Sequence, residues 1–217
     1  AVVLDLTKPV TVTLPELGGR YQSMHLVNQD HYMFFEAKPG TYELTEESVG
    51  TRFALVTIRT FVDPNDPEDV KQAHAAQDAI EISGGGKGPL ETPDWNQAQL
   101  AVARKALSDL ATLGFDASHA FGREEDIRPV DYLVGAAAGW GGLPSDETIY
   151  LNDTSPHPVG HYRLHLHEVP ADAFWSMSIY NRDSRFSVYR GYSGESTATV
   201  PPGVPPVTLK LEVIDKL

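Results

Sequence analysis

The order of the predicted elements limits what this chain can fold into more than any other feature. Up to about residue 62, short runs alternate apolar and polar side chains; residues 68 to 138 show helical spacing, and alternation returns after Pro144. A fold built from βαβ units would interleave strands and helices throughout. The order therefore predicts a mainly β protein, a β-sandwich or jelly roll with a helical insertion, which is α+β by content.

The first strand-like runs are interrupted at proline or glycine. The run from Val2 to Leu14 breaks at Lys8-Pro9, and the run from His31 to Thr45 breaks at Lys38-Pro39-Gly40, because a Pro-Gly pair favours a turn. The run from 51 to 62 has apolar residues on both faces, which predicts a strand largely buried on both sides.

Two helices are predicted in the middle of the chain. Asp63-Pro-Asn-Asp-Pro67 is typical of a helix start and predicts a helix from about Glu68 to about Ile82, ended by the glycine run 83–89. That run does not match the phosphate-loop pattern, which favours a flexible connection. A second helix is predicted from Trp95 to Leu113, with an apolar stripe of Leu100, Ala103, Leu107, Leu110 and Leu113.

Charge and cysteine content exclude several classes of function. A formal net charge of -13 repels phosphate backbones and anionic headgroups, which argues against nucleic-acid and membrane partners. The chain has no cysteine, so it has no disulfide, thiolate ligand or cysteine nucleophile. A small-molecule ligand is the partner class that these properties leave open.

A histidine-rich strand is predicted within residues 160–169. Alternation places His165 and His167 on one face, where two imidazoles at i and i+2 can reach one metal ion, as in cupin-type jelly rolls. A solvated polar face explains the same residues, because Leu164 and Leu166 on the opposite face suit a core. A divalent metal at His165 and His167 is therefore one alternative, and no cofactor is assured.

Candidate catalytic and binding residues lie elsewhere in the chain. His31 and Tyr32 follow a predicted turn at 28–30, a rim position that suits acid–base work or ligand binding, although a surface histidine explains the same letters. Arg59 lies on a strand suited to a core, where a guanidinium must meet a carboxylate or reach a cavity. Trp140 is flanked by glycines, which let the backbone approach a ligand closely.

Tyr180 and Asn181 end another predicted strand, and tyrosine combines an apolar face with a polar tip, as binding clefts and cores both require. No GxSxG elbow supports a serine nucleophile. We therefore predict His31 and Arg59 as catalytic candidates. The predicted ligand-binding residues are Tyr32, Trp140, Tyr180 and Asn181.

Two blocks of the sequence resemble a pair of bacterial families. Residues 1–35 and 49–78, with RTFVDPNDPEDV as their specific motif, resemble domain of unknown function 1254. Residues 121–151 and 161–181, with GWGGLPSDETIY and AFWSMSIYN, resemble its usual companion, domain of unknown function 1214. The resemblance implies a β-rich segment with one helix at 1–93 and helices followed by strands at 94–217, either as two segments or as one compact unit.

This resemblance also implies a set of expectations about the whole protein. Similar proteins are β-sandwich or jelly-roll domains with helical insertions that tend to form oligomers and often carry export signals, which implies a homo-oligomer in the periplasm or outside the cell. Hydrolase-type activities are only suggested for them. The chain lacks the Asn-Arg-Asp-Thr-Leu-Tyr type segment that usually precedes Ala1 and the usual closing strands, so we expect a fragment or a shortened member.

Three functional hypotheses stay open, and the chain's status as an enzyme is uncertain. The first is a hydrolase acting on a small or extracytoplasmic substrate, with a pocket near His31, Arg59, Trp140 and Tyr180. The second is a non-catalytic ligand-binding or assembly module in which these residues form core and interface. The third is a metal-binding jelly roll centred on His165 and His167.

Overall fold

The structure is a computed structural model that describes residues 1–150 in full. Beyond them it describes only the backbone of short strands, at 156–157, 163–165, 175–181, 186–191, 197–199 and 207–209. The chain separates into two compact units, Ala1–Thr148 and Ile149–Leu217. The division at residues 93 and 94 rests on family resemblance and stays a prediction.

The first unit contains two open antiparallel sheets. Their strands are β1 (Val2–Asp5), β2 (Val10–Leu14), β3 (Gln22–Asn28), β4 (Met33–Glu36), β5 (Gly40–Leu44), β6 (Phe53–Thr60) and β7 (Glu81–Gly84). One sheet has the order β1-β6-β3-β4 and the other the order β5-β2-β7. The predicted breaks at Lys8-Pro9 and before Gly40 are confirmed, and at each break the chain passes from one sheet to the other.

Both sheets contribute to one apolar core. In β2 the residues Val10, Val12 and Leu14 are buried and the two threonines between them are less so, as alternation predicts. They share a cluster with residues of the other sheet, including Leu4, Met24, Leu26 and Val56. Burying this apolar surface drives the association of the two sheets, at about 25 cal/mol per Å² removed from water.

Strand β3 is buried along its whole length because it is covered on both faces. Met24 and Leu26 face the core shared with the second sheet. The residues between them point the other way, and there Val27 packs with Ala120 and Phe121 of the segment that follows the second long helix. The end of β3 therefore meets residues that are remote in sequence, and this is where the candidate site lies.

The helices of the first unit are α1 (Glu46–Val49), α2 (Pro67–Asp78), α3 (Gln97–Ala111) and α4 (Pro129–Ala138), with a short 3-10 turn at Ala117–His119. The α2 N-terminus matches its prediction, since the Asp66 carboxylate accepts the Glu68 backbone N–H. Arg20 holds α2 against the sheet by donating to the Asp69 carboxylate and to the Phe61 carbonyl.

The predicted end of α2 is wrong. The helix stops at Asp78, and residues 81–84 form β7 because they pair with β2. The following glycines are not a flexible connection either: the Gly85 and Gly86 N–H groups donate to the Pro9 and Asp5 carbonyls at 3.0 and 2.7 Å. The glycine run instead joins the two sheets through backbone hydrogen bonds.

An ion pair reinforces this junction. The Asp5 carboxylate accepts hydrogen bonds from Arg52 Nε at 3.2 Å and from the Gly88 N–H at 3.0 Å, and Arg52 also meets Glu91 at 2.8 Å. The Arg52 guanidinium holds the pKa of Asp5 well below its usual range. Arg52, which directly precedes β6, thus pairs with two carboxylates, those of Asp5 and Glu91.

Helix α3 lies within the predicted range, but its predicted stripe does not form a core. None of its residues is buried, and Leu100 and Leu110 of the stripe are exposed, as is Leu113 beyond its end. None of the described helices is long and apolar enough to cross a membrane.

The second unit is described by its strands β8 (Pro156–His157), β9 (Arg163–His165), β10 (Trp175–Asn181), β11 (Phe186–Gly191), β12 (Thr197–Thr199) and β13 (Val207–Leu209). One antiparallel sheet has the order β11-β10-β13-β8, and β9 pairs with β12. The described helices all lie between Glu46 and Ala138, and the described sheets are antiparallel, so the protein is α+β, as predicted.

Candidate functional site

The candidate site is built on the tight loop that joins β3 to β4. Asn28 organises this loop: its side-chain oxygen accepts the backbone N–H groups of Asp30 and Tyr32 at 3.0 and 2.9 Å, and its amide donates to the Val49 carbonyl at 2.8 Å. The Asn28 backbone carbonyl also accepts the His31 N–H at 3.1 Å. The loop is therefore held from inside by one buried asparagine.

His31 adopts a left-handed backbone conformation, with φ of 65°. Glycine is the usual residue in that conformation, because a Cβ there costs roughly 1–2 kcal/mol. Among the described residues, His31 is the only one other than glycine with a positive φ. This conformation turns the His31 side chain toward the segment between Gly139 and Gly142.

The His31 imidazole is almost completely enclosed, with only 8% of the residue's surface exposed. Its Nε2 atom accepts the Gly141 backbone N–H at 2.9 Å. Because that nitrogen is an acceptor, the hydrogen of the neutral ring is on Nδ1. Nδ1 is buried and has no hydrogen-bond partner in the structure, and burial lowers the pKa of His31, which favours the neutral ring.

Aromatic rings surround the His31 imidazole. The ring centroids of Trp140, Tyr132 and Phe121 lie 5.4, 5.9 and 6.3 Å from its own, and Tyr32 stacks at 5.8 Å against Tyr132. These spacings are typical of favourable aromatic pairs. Phe121 is buried on the inner side, whereas Trp140 is 59% exposed on the outer side. We call this set of five rings the ring cluster.

Glycines explain how Trp140 reaches the ring cluster. Gly141 has φ of 73°, a conformation that favours glycine. A Cβ on Gly142 would lie 2.5 Å from a Phe121 ring carbon, so this position accepts only glycine without a shift of the ring. On the other side of the cluster, the Tyr132 hydroxyl donates to the Asp30 carbonyl and ties α4 to the β3–β4 loop.

The surroundings of the ring cluster are acidic. Burial raises the pKa of Tyr32, and the charges of Glu124 and Asp30 raise it further. Burial also raises the pKa of Tyr132, to which Asp30 again contributes. The polar tips of both tyrosines thus stay protonated well above neutral pH, and negative charge lies beside them.

A second buried histidine lies beneath the site on β3. His25 is buried, its Nε2 atom has no hydrogen-bond partner, and the charge of His31 acts on it. Burial lowers the pKa of His25 to about 4, with Arg59 adding repulsion. Arg59 itself is exposed on β6, opposite Ser23.

The structure brings together some of the predicted site residues and not others. His31 and Trp140 are in contact, and Tyr32 joins them through Tyr132. In the fully described part of the chain, no hydrogen bond or ring contact links Arg59 to this cluster. The roles of His31, Arg59, Trp140 and Tyr32 in function stay predictions.

The remaining predicted site residues belong to the second unit. Tyr180 and Asn181 lie in β10 and His165 in β9, strands whose side chains are not described, and His167 lies outside the described residues. Within residues 1–150, no three His, Asp or Glu side chains are placed to hold a metal ion. The metal alternative at His165 and His167 therefore stays a prediction.

Three contributors were not among the predicted site residues: Phe121, Tyr132 and the Gly141 backbone. Phe121 and Tyr132 are of residue types that commonly form a core, and no motif near them in the sequence indicates a site. The Gly141 N–H had an indirect signal, because the glycines around Trp140 indicated an unusual backbone.

Comparison with solved structures finds a protein of similar fold. The crystal structure of the VPA0106 protein from Vibrio parahaemolyticus matches with a TM-score of 0.63 at 18% sequence identity, over 83% of this chain and 67% of that chain. No family model matches the sequence, and comparison with curated proteins gives no match. The similarity concerns the fold alone, and the resemblance to the two paired families stays a prediction.

Proposed function

We propose that the first unit is a small-ligand-binding module whose site is the ring cluster around His31. One observation carries this proposal: a histidine that is more than nine-tenths buried has an unpartnered Nδ1 under the exposed ring of Trp140. A buried donor without a partner costs about 1–3 kcal/mol. A ligand atom that accepts a hydrogen bond from Nδ1 would remove this cost.

The backbone of His31 supports the same proposal. Strained residues concentrate at functional sites, where the surrounding structure holds them in place. Here Asn28 fixes the loop and Gly141 fixes the ring, so His31 is held on both sides. The exposed Trp140 side chain is the part of the ring cluster that a ligand entering from solvent would displace.

Binding is a better match to this geometry than hydrolysis. A histidine acting as a general base needs a free nitrogen beside a nucleophile and usually a group that orients it. Among residues 1–150, no carboxylate and no hydroxyl group hydrogen-bonds the His31 ring, and Nε2 is already occupied by a backbone N–H. Hydrolase activity stays a prediction from the sequence, and among residues 1–150 no nucleophile hydrogen-bonds the His31 ring.

Two further expectations belong to this proposal. The first is a sandwich arrangement of the first unit, supported by the core that both open sheets share. The second is a homo-oligomer, for which the exposed apolar residues of α3 are compatible surface.

The proposal is tested by a fragment screen monitored through tryptophan indole N–H signals in NMR spectra of the full chain. Trp140 and Trp95 are matched, at 59% and 58% exposure, and only Trp140 lies in the ring cluster. We expect fragments that shift the Trp140 signal, assigned with Trp140→Phe, and leave Trp95 unmoved. A screen in which every hit shifts both signals equally, or in which no hit shifts the Trp140 signal, would contradict the proposal.

A further inference from the structure

We propose that the ligand of the ring cluster is an uncharged molecule with a flat apolar body and one hydrogen-bond acceptor, such as a carbonyl oxygen, that pairs with Nδ1 of His31. This inference rests on the proposed function and adds the chemical class of the ligand to it. Three properties of the site carry it: the tautomer of His31, the charge around the tyrosines and the rings that enclose the imidazole.

The tautomer fixes the polarity of the ligand atom. The Gly141 N–H at 2.9 Å occupies Nε2 as a donor, so Nδ1–H is the donor that remains. A donor needs an acceptor opposite it. A cationic group offers Nδ1–H no acceptor and brings positive charge to the positive end of the N–H dipole, so the tautomer disfavours cationic ligands.

The charge around the site disfavours anions. Asp30 and Glu124 already act on Tyr32, and Asp30 also acts on Tyr132. A carboxylate or phosphate entering between these tyrosines and His31 would lose its water and meet two like charges. The chain's net charge of -13 acts in the same direction at longer range. An uncharged acceptor is the class that both restrictions leave.

The shape of the site selects a flat molecule. The Trp140 ring and the His31 imidazole are tilted by 38° to each other, and the rings of Tyr32 and Tyr132 by 35°. Nδ1 of His31 is buried. A ligand that takes the place of the indole beside the imidazole must therefore offer a comparable planar face.

Four simple probes separate these properties. Acetophenone has a flat ring and a neutral carbonyl, and α-methylstyrene has the same shape with a methylene group in place of the oxygen. Benzoate adds a negative charge and phenyltrimethylammonium a positive one. Each is titrated into the full chain while the Trp140 and Trp95 indole signals are followed, together with the side-chain nitrogen signals of the histidines.

We expect acetophenone to bind roughly 3- to 10-fold more tightly than α-methylstyrene, which is the range for one net hydrogen bond. Binding should shift the indole signal of Trp140 and the Nδ1 signal of His31. Nδ1 should carry its hydrogen both before and after binding. Benzoate and phenyltrimethylammonium should both bind more weakly than acetophenone.

The outcomes separate the two proposals. If no probe shifts Trp140 apart from Trp95, the proposed function fails, and the ligand class fails with it. Two results would leave the site standing and overturn the ligand class. In the first, the probes bind at Trp140 but the dissociation constants of the ketone and its methylene isostere agree within twofold. In the second, a charged probe binds there most tightly. A spectrum showing the hydrogen of His31 on Nε2 would also overturn the class.

Discussion

Replacing His31 by glycine separates the strain of its backbone from the contacts of its ring. The ring contributes the Gly141 hydrogen bond, whose loss leaves that N–H without its partner at about 1–3 kcal/mol, and buried aromatic contacts. The backbone at φ 65° costs any residue with a Cβ roughly 1–2 kcal/mol. His31→Gly should therefore be less stable than the wild type, because the lost hydrogen bond, the lost ring contacts and the cavity left by the ring together exceed the relieved strain and the removed cost of the unpartnered Nδ1.

The comparison with His31→Ala isolates the backbone. Both variants lose the imidazole, but alanine keeps the strained φ and glycine does not. Glycine also makes the unfolded chain more flexible, which lowers the stability of His31→Gly by about 0.4–1 kcal/mol. This cost is smaller than the strain that glycine relieves. We expect His31→Gly to exceed His31→Ala by about 1 kcal/mol in free energy of unfolding, measured by urea denaturation of the full chain.

Added imidazole provides the second measurement. His31→Gly leaves a space the size of the ring between Gly141 and the ring cluster, so free imidazole should bind there and stabilise this variant. At ten times its dissociation constant it should add about 1.4 kcal/mol. The exposed His74 offers a matched control, because His74→Gly creates no enclosed space.

Two results would refute this reasoning. If His31→Ala is as stable as His31→Gly, then the left-handed backbone is not the source of the strain. If imidazole stabilises the wild type or His74→Gly as much as His31→Gly, then the enclosed site around the ring does not exist as described.

Two further predictions concern the support of the site. Asn28→Ala should destabilise the chain by about 2–4 kcal/mol, because it removes three hydrogen bonds made by a buried side chain. Asn28→Asp keeps the acceptor for Tyr32 and loses only the donor to Val49, so its stability should fall between the two; thermal unfolding compares them. Acidification from pH 6.5 to 4 should lower the free energy of unfolding. Burial, and after it the charge of Arg59, lowers the pKa of His25 to about 4 in the folded state. The unfolded state therefore binds more protons than the folded state across this pH window. The expected decrease in the free energy of unfolding is about 2 kcal/mol after solvent screening, and urea midpoints at the two pH values measure it. An equal decrease in His25→Gln would show that the titration of His25 is not its cause.

The features that the sequence predicted well are those that local chemistry decides. Proline breaks the first run at Lys8-Pro9, and Asp66 caps α2, because both effects act within a few residues. The α+β class followed from the order of element types. Errors arose where partners are remote: β7 is a strand because it pairs with β2, and a helical pattern up to Ile82 contains no sign of that partner.

The same distinction applies to the site. His31 and Trp140 were each marked by their own neighbours, a turn in one case and glycines in the other. The hydrogen bond that the Gly141 N–H donates to His31 joins positions 110 residues apart, and no local pattern encodes it. Tyr132 and Phe121 were missed for the same reason, because an aromatic residue in a helix or loop is usually core.

The choice of histidine at position 31 is what separates a binding site from a structural turn. Every other described residue with positive φ is glycine, including Gly141 in the same site. A glycine at position 31 would relieve the strain and would bury no unpartnered donor, so the β3–β4 loop does not need an imidazole to close. Both unfavourable features fall on one residue, whose ring is in contact with an exposed tryptophan. A bound acceptor would remove the cost of the unpartnered Nδ1 and would use the side-chain orientation that the strained backbone produces. Ligand binding therefore accounts for both features together.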